Sequence, residues 1–157
     1  MFFRLKPFPV IFEKNCRVDK DRMLPILLVD DDTTDRELFR EAIGLSPRNC
    51  TITEAADGEE ALAALSSGPL PQLIILDLNM PVKDGRETLK EIKSDPRLRC
   101  IPVCVLSTSS AHFDVQNAYE NGASLFLEKP HDFKRLTEMI NCLLCLFQQF
   151  VTPPKGI

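Results

Sequence analysis

Four short apolar runs in this sequence each end at side chains that could take part in phosphate chemistry. These side chains are Asp30 and Asp31 after the first run, Asp77 after the second, Ser107 after the third and Lys129 after the fourth. Three carboxylates held close together repel one another, and a hard divalent cation such as Mg²⁺ offsets that repulsion. A lysine ammonium and a hydroxyl group can both contact phosphate oxygens. The set therefore predicts a magnesium-dependent phosphoryl-transfer site, provided that the fold brings the four run ends together.

Asp77 is the predicted nucleophile of this site. The residues before it, 73–76, are all apolar, which is typical of a strand buried on both faces, and Pro81 and Gly85 mark the loop after it. In-line attack by Asp77 on a phosphoryl group would give an acyl phosphate. Taken alone, Asp77 is equally compatible with a loop acid that caps the next helix. The presence of suitable chemistry at all four run ends favours the phosphoryl-transfer site.

Alternating strand and helix patterns provide the elements that would position these side chains. The predicted strands are 26–29, 50–55, 73–76, 102–106 and 124–128, and a helical pattern follows each of them. Such alternation with short connections predicts an α/β fold, a doubly wound five-stranded parallel sheet with helices on both faces. We choose the flavodoxin-like strand order 2-1-3-4-5 among the doubly wound arrangements. In that fold the carboxyl ends of the strands meet at one edge, which brings the predicted site residues together.

Composition narrows the classes of protein that this chain can belong to. With 157 residues the chain fits one domain, and a net charge of −4 with 27% charged residues argues against a basic nucleic-acid surface. No run approaches the ~18 apolar residues of a membrane span. The six cysteines lie mostly in apolar runs, as expected of reduced thiols, and Cys142 and Cys145 lack further zinc ligands nearby. We therefore predict a cytoplasmic protein that binds neither nucleic acid nor membrane.

Sequence motifs at the strand ends carry a resemblance to a known family. The motifs are Leu-Leu-Val-Asp-Asp at 27–31, Asp-Leu-Asn-Met-Pro-Val-Lys-Asp-Gly at 77–85, Val-Leu-Ser-Thr-Ser at 105–109 and Phe-Leu-Glu-Lys-Pro at 126–130. Together they resemble the receiver domain of two-component response regulators, over residues 24 to about 148. Within that family the chain is most similar to small stand-alone receivers that serve phytochrome-type and other hybrid sensor histidine kinases.

The resemblance implies a single-domain response regulator, which is not an enzyme and catalyses only its own phosphorylation and dephosphorylation. Asp77 would accept a phosphoryl group from a sensor histidine kinase, and a downstream protein target would bind the switched surface. The implied Mg²⁺ ligands are Asp31, Asp77 and the main-chain carbonyl of Asn79, with Asp30 acting through water.

The resemblance also implies a switch. Ser107 stands at the family's switch hydroxyl and Phe126 at its switch aromatic, although Phe126 lacks a hydroxyl and would act through packing alone. Plain core packing is the alternative for Phe126. The peptide bond between Lys129 and Pro130 is expected to be cis.

The chain outside and at the end of this domain is assigned as follows. We predict a receiver domain at 24–150, an N-terminal extension without regular structure at 1–23 and a C-terminal tail at 151–157.

The last helix carries one apolar stripe that would pack on the sheet. A second apolar flank is left over, formed by Met139, Cys142, Leu146, Phe150 and Val151. An exposed apolar strip usually marks a partner, so the last strand and last helix are predicted to bind a target or a second copy of the chain. Burial of this flank by the extension is the alternative.

Two rival functions fit parts of the sequence. Residues 29–34 match the D-x-D-x-T pattern of haloacid-dehalogenase-like phosphatases, in which Asp30 would be the nucleophile, but that hypothesis leaves 77–85 unexplained. A flavin site would need a first loop that cradles phosphate, and the loop at 30–32 carries three aspartates and no glycine. We therefore expect neither a phosphatase nor a flavin-binding module.

Overall fold

The computed structural model describes residues 22–154, so the predicted extension lies outside the described residues except for Arg22 and Met23. The strands are β1 (Leu24–Val29), β2 (Cys50–Ala55), β3 (Leu73–Leu76), β4 (Val103–Ser107) and β5 (Leu125–Glu128). The helices are α1 (Thr33–Gly44), α2 (Gly58–Ser67), α3 (Gly85–Ser94), α4 (His112–Glu120) and α5 (Phe133–Gln149). Every predicted strand and helix is present, and the ends of the strands differ from the predicted ones by at most two residues.

All five strands are parallel and lie in the order β2-β1-β3-β4-β5, which confirms the predicted topology. Alternate side chains of each strand enter opposite hydrophobic layers. Leu27 and Ile74 face the layer that α2, α3 and α4 cover, whereas Ile26 and Ile75 face the layer that α1 and α5 cover. Because β3 is covered on both sides, its four residues are all buried, as the unbroken apolar run predicted. Among the helices of residues 22–154, none has the length and hydropathy that crossing a bilayer would require.

Aspartates other than the predicted site residues cap the helices that follow β1 and β3. Asp32 caps α1 by accepting from the main-chain N–H groups of Thr34 and Asp35. Asp84 caps α3 by accepting from Glu87 N–H, so Asp77 is not a helix cap and that alternative for Asp77 is wrong. The carboxylates of Asp30 and Asp77 are therefore available for other contacts.

Gly85, the first residue of α3, packs on the main chain at the end of β3. Its N–H donates to the carbonyl oxygen of Leu78 at 3.0 Å. A Cβ atom at this position would overlap the carbonyl oxygen of Asp77 and lie 2.6 Å from Leu78 Cα. Only glycine allows α3 to approach this closely, so Gly85 fixes the loop that carries Asp77.

A buried polar contact ties the end of α5 to the start of β1. The Gln148 side chain is 3% exposed, and its amide donates to the carbonyl oxygens of Asn49 at 2.6 Å and Arg22 at 3.3 Å. In return, Arg22 donates to the carbonyl oxygen of Gln148 at 2.7 Å. The Gln148 amide thus gives the Arg22 carbonyl a partner and shares the Asn49 carbonyl with the Leu24 N–H.

Candidate functional site

The three predicted aspartates meet at the carboxyl edge of the sheet. Val29 of β1 lies opposite Leu76 of β3, so the residues that follow them, Asp30 and Asp77, emerge side by side. Carboxylate oxygens of Asp30, Asp31 and Asp77 all lie within 4.8 Å of one another. Asp30 is 4% exposed and Asp77 is 8% exposed, whereas Asp31 faces solvent. The predicted acidic cluster is therefore present, with one open side.

Lys129 enters the same cluster from β5. Its ammonium donates to Asp30 Oδ2 at 2.8 Å and to Asp35 Oδ2 at 2.7 Å, and it lies 3.6 Å from Asp77 Oδ2. Lys129 therefore hydrogen-bonds to Asp30 and Asp35, and its role towards a phosphate oxygen stays a prediction. The predicted cis bond is wrong, because the peptide bond between Lys129 and Pro130 is trans, and the side chain reaches the carboxylates from this geometry.

Asp35 is a site residue that the sequence did not reveal. It lies in the first turn of α1, where an acid is also favoured by the helix dipole, and this second explanation concealed its contact with Lys129. The available signal was its position one turn into the helix that starts directly after Asp30 and Asp31. That position places it at the same edge of the sheet as Lys129.

Burial and charge act in opposite directions on the ionisable groups of the cluster. Burial raises the pKa of Asp30, and the hydrogen bond from Lys129 opposes this shift. Burial also raises the pKa of Asp77, opposed by the Asn79 N–H and by the charge of Lys129. For Lys129, burial alone would lower the pKa, but hydrogen bonds to Asp30 and Asp35 outweigh it and the pKa is raised. Lys129 therefore stays positively charged. Its one charge does not balance the negative charges of the neighbouring carboxylates.

Ser107 lies at the end of β4 and is fully buried. Its hydroxyl oxygen accepts from the main-chain N–H of Ser109 at 3.2 Å and from Asn79 Nδ2 at 3.4 Å. The main-chain N–H of Asn79 in turn donates to Asp77 Oδ1 at 3.1 Å. Asn79 therefore connects the predicted hydroxyl to the predicted nucleophile.

Phe126 is partly buried against the layer of the core that α4 covers. It pairs with Val105 of β4, two residues before Ser107. Its main-chain N–H donates to the hydroxyl of Tyr119 on α4 at 3.1 Å. Core packing and a switch role both remain open for this side chain, and the assigned role stays a prediction.

The donor set fits a hard divalent cation. Asp30, Asp31 and Asp77 supply carboxylate oxygens, and in residues 22–154 they form the sole group of three or more acidic, His or Cys side chains close enough to share an ion. Oxygen ligands of this kind are preferred by Mg²⁺, Ca²⁺ and Mn²⁺. Cys142 is exposed and Cys145 is buried, and neither belongs to such a group.

Comparisons with known proteins give one consistent result. The family model described as "Response regulator receiver domain" matches residues 26–141. The chain is similar to the response regulator Rcp1 of Synechocystis sp., with 39% identity over 137 residues, which cover 83% of this chain and 93% of that protein. The fold is similar to the crystal structure of the Mn(2+)-bound form of Rcp1, with a TM-score of 0.77, 39% identity and coverage of 83% and 99%. The phosphorylated cyanobacterial phytochrome response regulator RcpA gives a TM-score of 0.80 at 36% identity, with coverage of 85% and 100%.

Proposed function

Because the chain belongs to the response regulator receiver domain family, we propose that Asp77 is the residue that accepts its phosphoryl group. The chain is a signalling protein homologous to single-domain response regulators rather than a classical enzyme. The observation that carries the proposal is the position of Asp77 at the end of the central strand, within 4.8 Å of two further carboxylates and 3.6 Å from the Lys129 ammonium. Asp30 has the same neighbours, so the hydrogen bonds of the two carboxylates must distinguish them.

The two oxygens of Asp77 have different surroundings, which supports a nucleophilic role. Oδ1 accepts the Asn79 N–H, which fixes the carboxylate, while Oδ2 lies 3.6 Å from Lys129, beyond hydrogen-bond distance. In Asp30, by contrast, Oδ1 accepts from Asp32 N–H at 2.9 Å and Oδ2 from Lys129 at 2.8 Å. Asp77 thus keeps one oxygen for attack and Asp30 does not. This difference counts against the phosphatase hypothesis, which needs Asp30 as nucleophile.

The proposed transfer forms one bond and breaks one. An Asp77 oxygen bonds to phosphorus while the bond from phosphorus to the kinase histidine nitrogen breaks, and its electron pair stays on nitrogen. Lys129 would donate to one phosphoryl oxygen, and the Ser107 hydroxyl would donate to another. Lys129 lies 3.6 Å from Asp77 Oδ2, and Ser107 is connected to Asp77 through hydrogen bonds of Asn79.

We propose Mg²⁺ as the metal, with Asp31, Asp77 and the main-chain carbonyl of Asn79 as direct ligands and Asp30 acting through water. When bound, the ion supplies positive charge that neutralises the oxygens of the transferred group. The solved Mn(2+)-bound form of Rcp1 supports a divalent ion, and the grouping of Asp30, Asp31 and Asp77 supports its place at this edge. The carboxylates of the site also carry more negative charge than the Lys129 ammonium neutralises, which favours a bound divalent cation.

Receiver domains act together with sensor histidine kinases. We propose a phytochrome-type or other hybrid kinase as the donor, supported by the similarity to RcpA, and a cytoplasmic location, supported by the exposed thiols of Cys100 and Cys142.

For the output we propose an interface on β5 and α5 that binds a downstream protein or a second copy. Leu146 of α5 is 42% exposed, and Phe150, directly after α5, is 70% exposed. Cys142, one turn before Leu146, is also exposed. Met139 and Val151 pack against the core, so the flank is narrower than predicted. Sedimentation at high concentration, with and without beryllofluoride, tests the dimer; a monomer under both conditions would contradict it.

Labelling by acetyl phosphate with Mg²⁺ tests the phosphorylation proposal. We expect one phosphoryl group per chain, mapped by mass spectrometry to Asp77 and absent in Asp77→Asn. Asp95→Asn, which changes an acid at the far end of α3, is the matched control and should be labelled like the wild type. Stoichiometric labelling that persists in Asp77→Asn but disappears in Asp30→Asn would reject the proposal and favour the phosphatase.

A further inference from the structure

A continuous chain of hydrogen bonds connects α3 to the hydroxyl of Ser107. Arg86 Nη2 donates to Asp114 Oδ1 at 2.7 Å, and Ser109 Oγ donates to Asp114 Oδ2 at 2.9 Å. The main-chain N–H of Ser109 then donates to Ser107 Oγ at 3.2 Å. We call Arg86, Asp114 and Ser109 the Arg86 bridge.

The Arg86 bridge holds a segment that has little other support. The loop between β4 and α4 leads into the one helix of residues 22–154 whose start lacks a side-chain cap, since Ala111 stands there. Asp114 lies in the first turn of α4, and Ser109 lies within the loop. Without the bridge, neither the loop nor the start of α4 would be tied to α3 by a charged contact.

The contact between Arg86 and Asp114 is stronger than an ordinary surface ion pair. Their side chains are 29% and 14% exposed, so solvent screens the two charges only partly. The hydrogen bonds from Arg86 and then Ser109 hold the pKa of Asp114 below its usual range, so this carboxylate stays ionised. By contrast, the Arg97 to Asp95 pair is 3.6 Å apart and its arginine is 63% exposed.

The hydrogen bonds at Ser107 leave its proton unused. A serine hydroxyl has one proton to donate and two lone pairs that accept. The N–H of Ser109 and the amide of Asn79 occupy both accepting positions. The hydroxyl is therefore oriented so that its proton can go to a third group.

We propose that Arg86, Asp114 and Ser109 are positioning residues that hold the Ser107 hydroxyl ready to donate to a phosphoryl oxygen on Asp77. This inference rests on the proposed role of Asp77 as phosphoryl acceptor. The bridge acts through Ser107 and does not touch the reacting atoms. Its effect must therefore vanish when the Ser107 hydroxyl is absent.

A double-mutant cycle on the full chain tests this dependence. The four proteins are the wild type, Arg86→Gln, Ser107→Ala and the double variant, and the readouts are the labelling rate with acetyl phosphate and the affinity for beryllofluoride, both with Mg²⁺. We expect Arg86→Gln to reduce both readouts about three- to ten-fold when Ser107 is present, and to change neither beyond error in the Ser107→Ala background. Asp114→Asn should reproduce this pattern. Arg97→Gln, the matched control at the exposed ion pair, should behave like the wild type.

Three results would overturn the proposal: an equal loss in both backgrounds, no loss in either, or faster labelling when the bridge is broken. Circular dichroism and urea unfolding of each variant show whether an equal loss comes from damage to the fold. If the wild type itself is not labelled at Asp77, the proposed function fails and the two failures are distinguished.

Discussion

Replacement of Gly85 by alanine should destabilise the domain because two main-chain segments touch there. The new Cβ would lie 2.6 Å from Leu78 Cα and overlap the Asp77 carbonyl oxygen, and neither atom can move as a flexible side chain would. Relief of the overlap requires α3 to shift away from β3 by a large part of an ångström. That shift would weaken the 3.0 Å hydrogen bond from Gly85 N–H to Leu78 O.

The expected loss of stability in Gly85→Ala is the sum of three contributions. Overpacking against a rigid neighbour costs about 1–3 kcal/mol, and the lost hydrogen bond costs about 1 kcal/mol. Alanine returns up to about 1 kcal/mol because it is a better helix former than glycine. We therefore expect Gly85→Ala to lower the free energy of unfolding by about 1–4 kcal/mol. Labelling of Asp77 should also slow, because the loop that carries Asp77 moves with α3.

Urea unfolding followed by circular dichroism measures the change, and Gly44→Ala is the matched control. Gly44 is the last residue of α1, and a Cβ there would meet no atom within 4 Å. Gly44→Ala should therefore be neutral or stabilise by up to about 1 kcal/mol. If Gly85→Ala unfolds at the same urea concentration as Gly44→Ala, the close approach of α3 to β3 does not exist in solution.

Three further changes test other parts of the fold by urea unfolding. Gln148→Ala should cost about 1–3 kcal/mol, because the Arg22 carbonyl loses the Gln148 amide and the Asn49 carbonyl keeps only the Leu24 N–H. Gln116→Ala at an exposed position of α4 should cost less than about 0.5 kcal/mol, and equal costs would contradict this. Val82 has a φ of 67°, which is strained for a β-branched residue, and its side chain is 82% exposed. Val82→Asn should therefore stabilise the domain by about 1 kcal/mol, and a loss of stability would refute the backbone strain. Burial raises the pKa of the Cys104 thiol from 9.0 to about 12. The contribution of the protonated thiol to the free energy of unfolding is therefore complete below pH 9 and is lost as the pH rises towards 12. Above pH 9.5 the wild type should lose about 1.4 kcal/mol per pH unit more than Cys104→Val, and equal slopes would contradict this.

The fold could be predicted from the sequence because local patterns and tertiary structure agree. The unbroken apolar run of β3 required a strand covered on both faces, and a helical pattern followed each strand. The site followed from the fold, since parallel strands deliver their carboxyl ends to one edge. Asp30, Asp31, Asp77 and Lys129 therefore came together as expected.

Contacts that depend on side-chain reach could not be predicted in this way. Asp35 was hidden because an acid in a first helical turn already has a local explanation. Gln148 was hidden because one polar residue at the end of an amphipathic helix normally faces solvent, and only the positions of Asn49 and Arg22 show why it is buried. Met139 looked like part of a free flank because helical periodicity does not say how wide a strip the sheet covers.

The residues that follow Asp77 join the two ends of the site through consecutive contacts. Asp84 caps α3, Gly85 packs on the main chain of Asp77, and Arg86 hydrogen-bonds to Asp114 beyond the loop that follows Ser107. Close-packed main-chain contacts compress very little, so a displacement of the Asp77 main chain must move Gly85 and therefore the guanidinium of Arg86. A phosphoryl group on Asp77 would thus act on Ser107 from two directions, directly through its oxygens and indirectly through the start of α3.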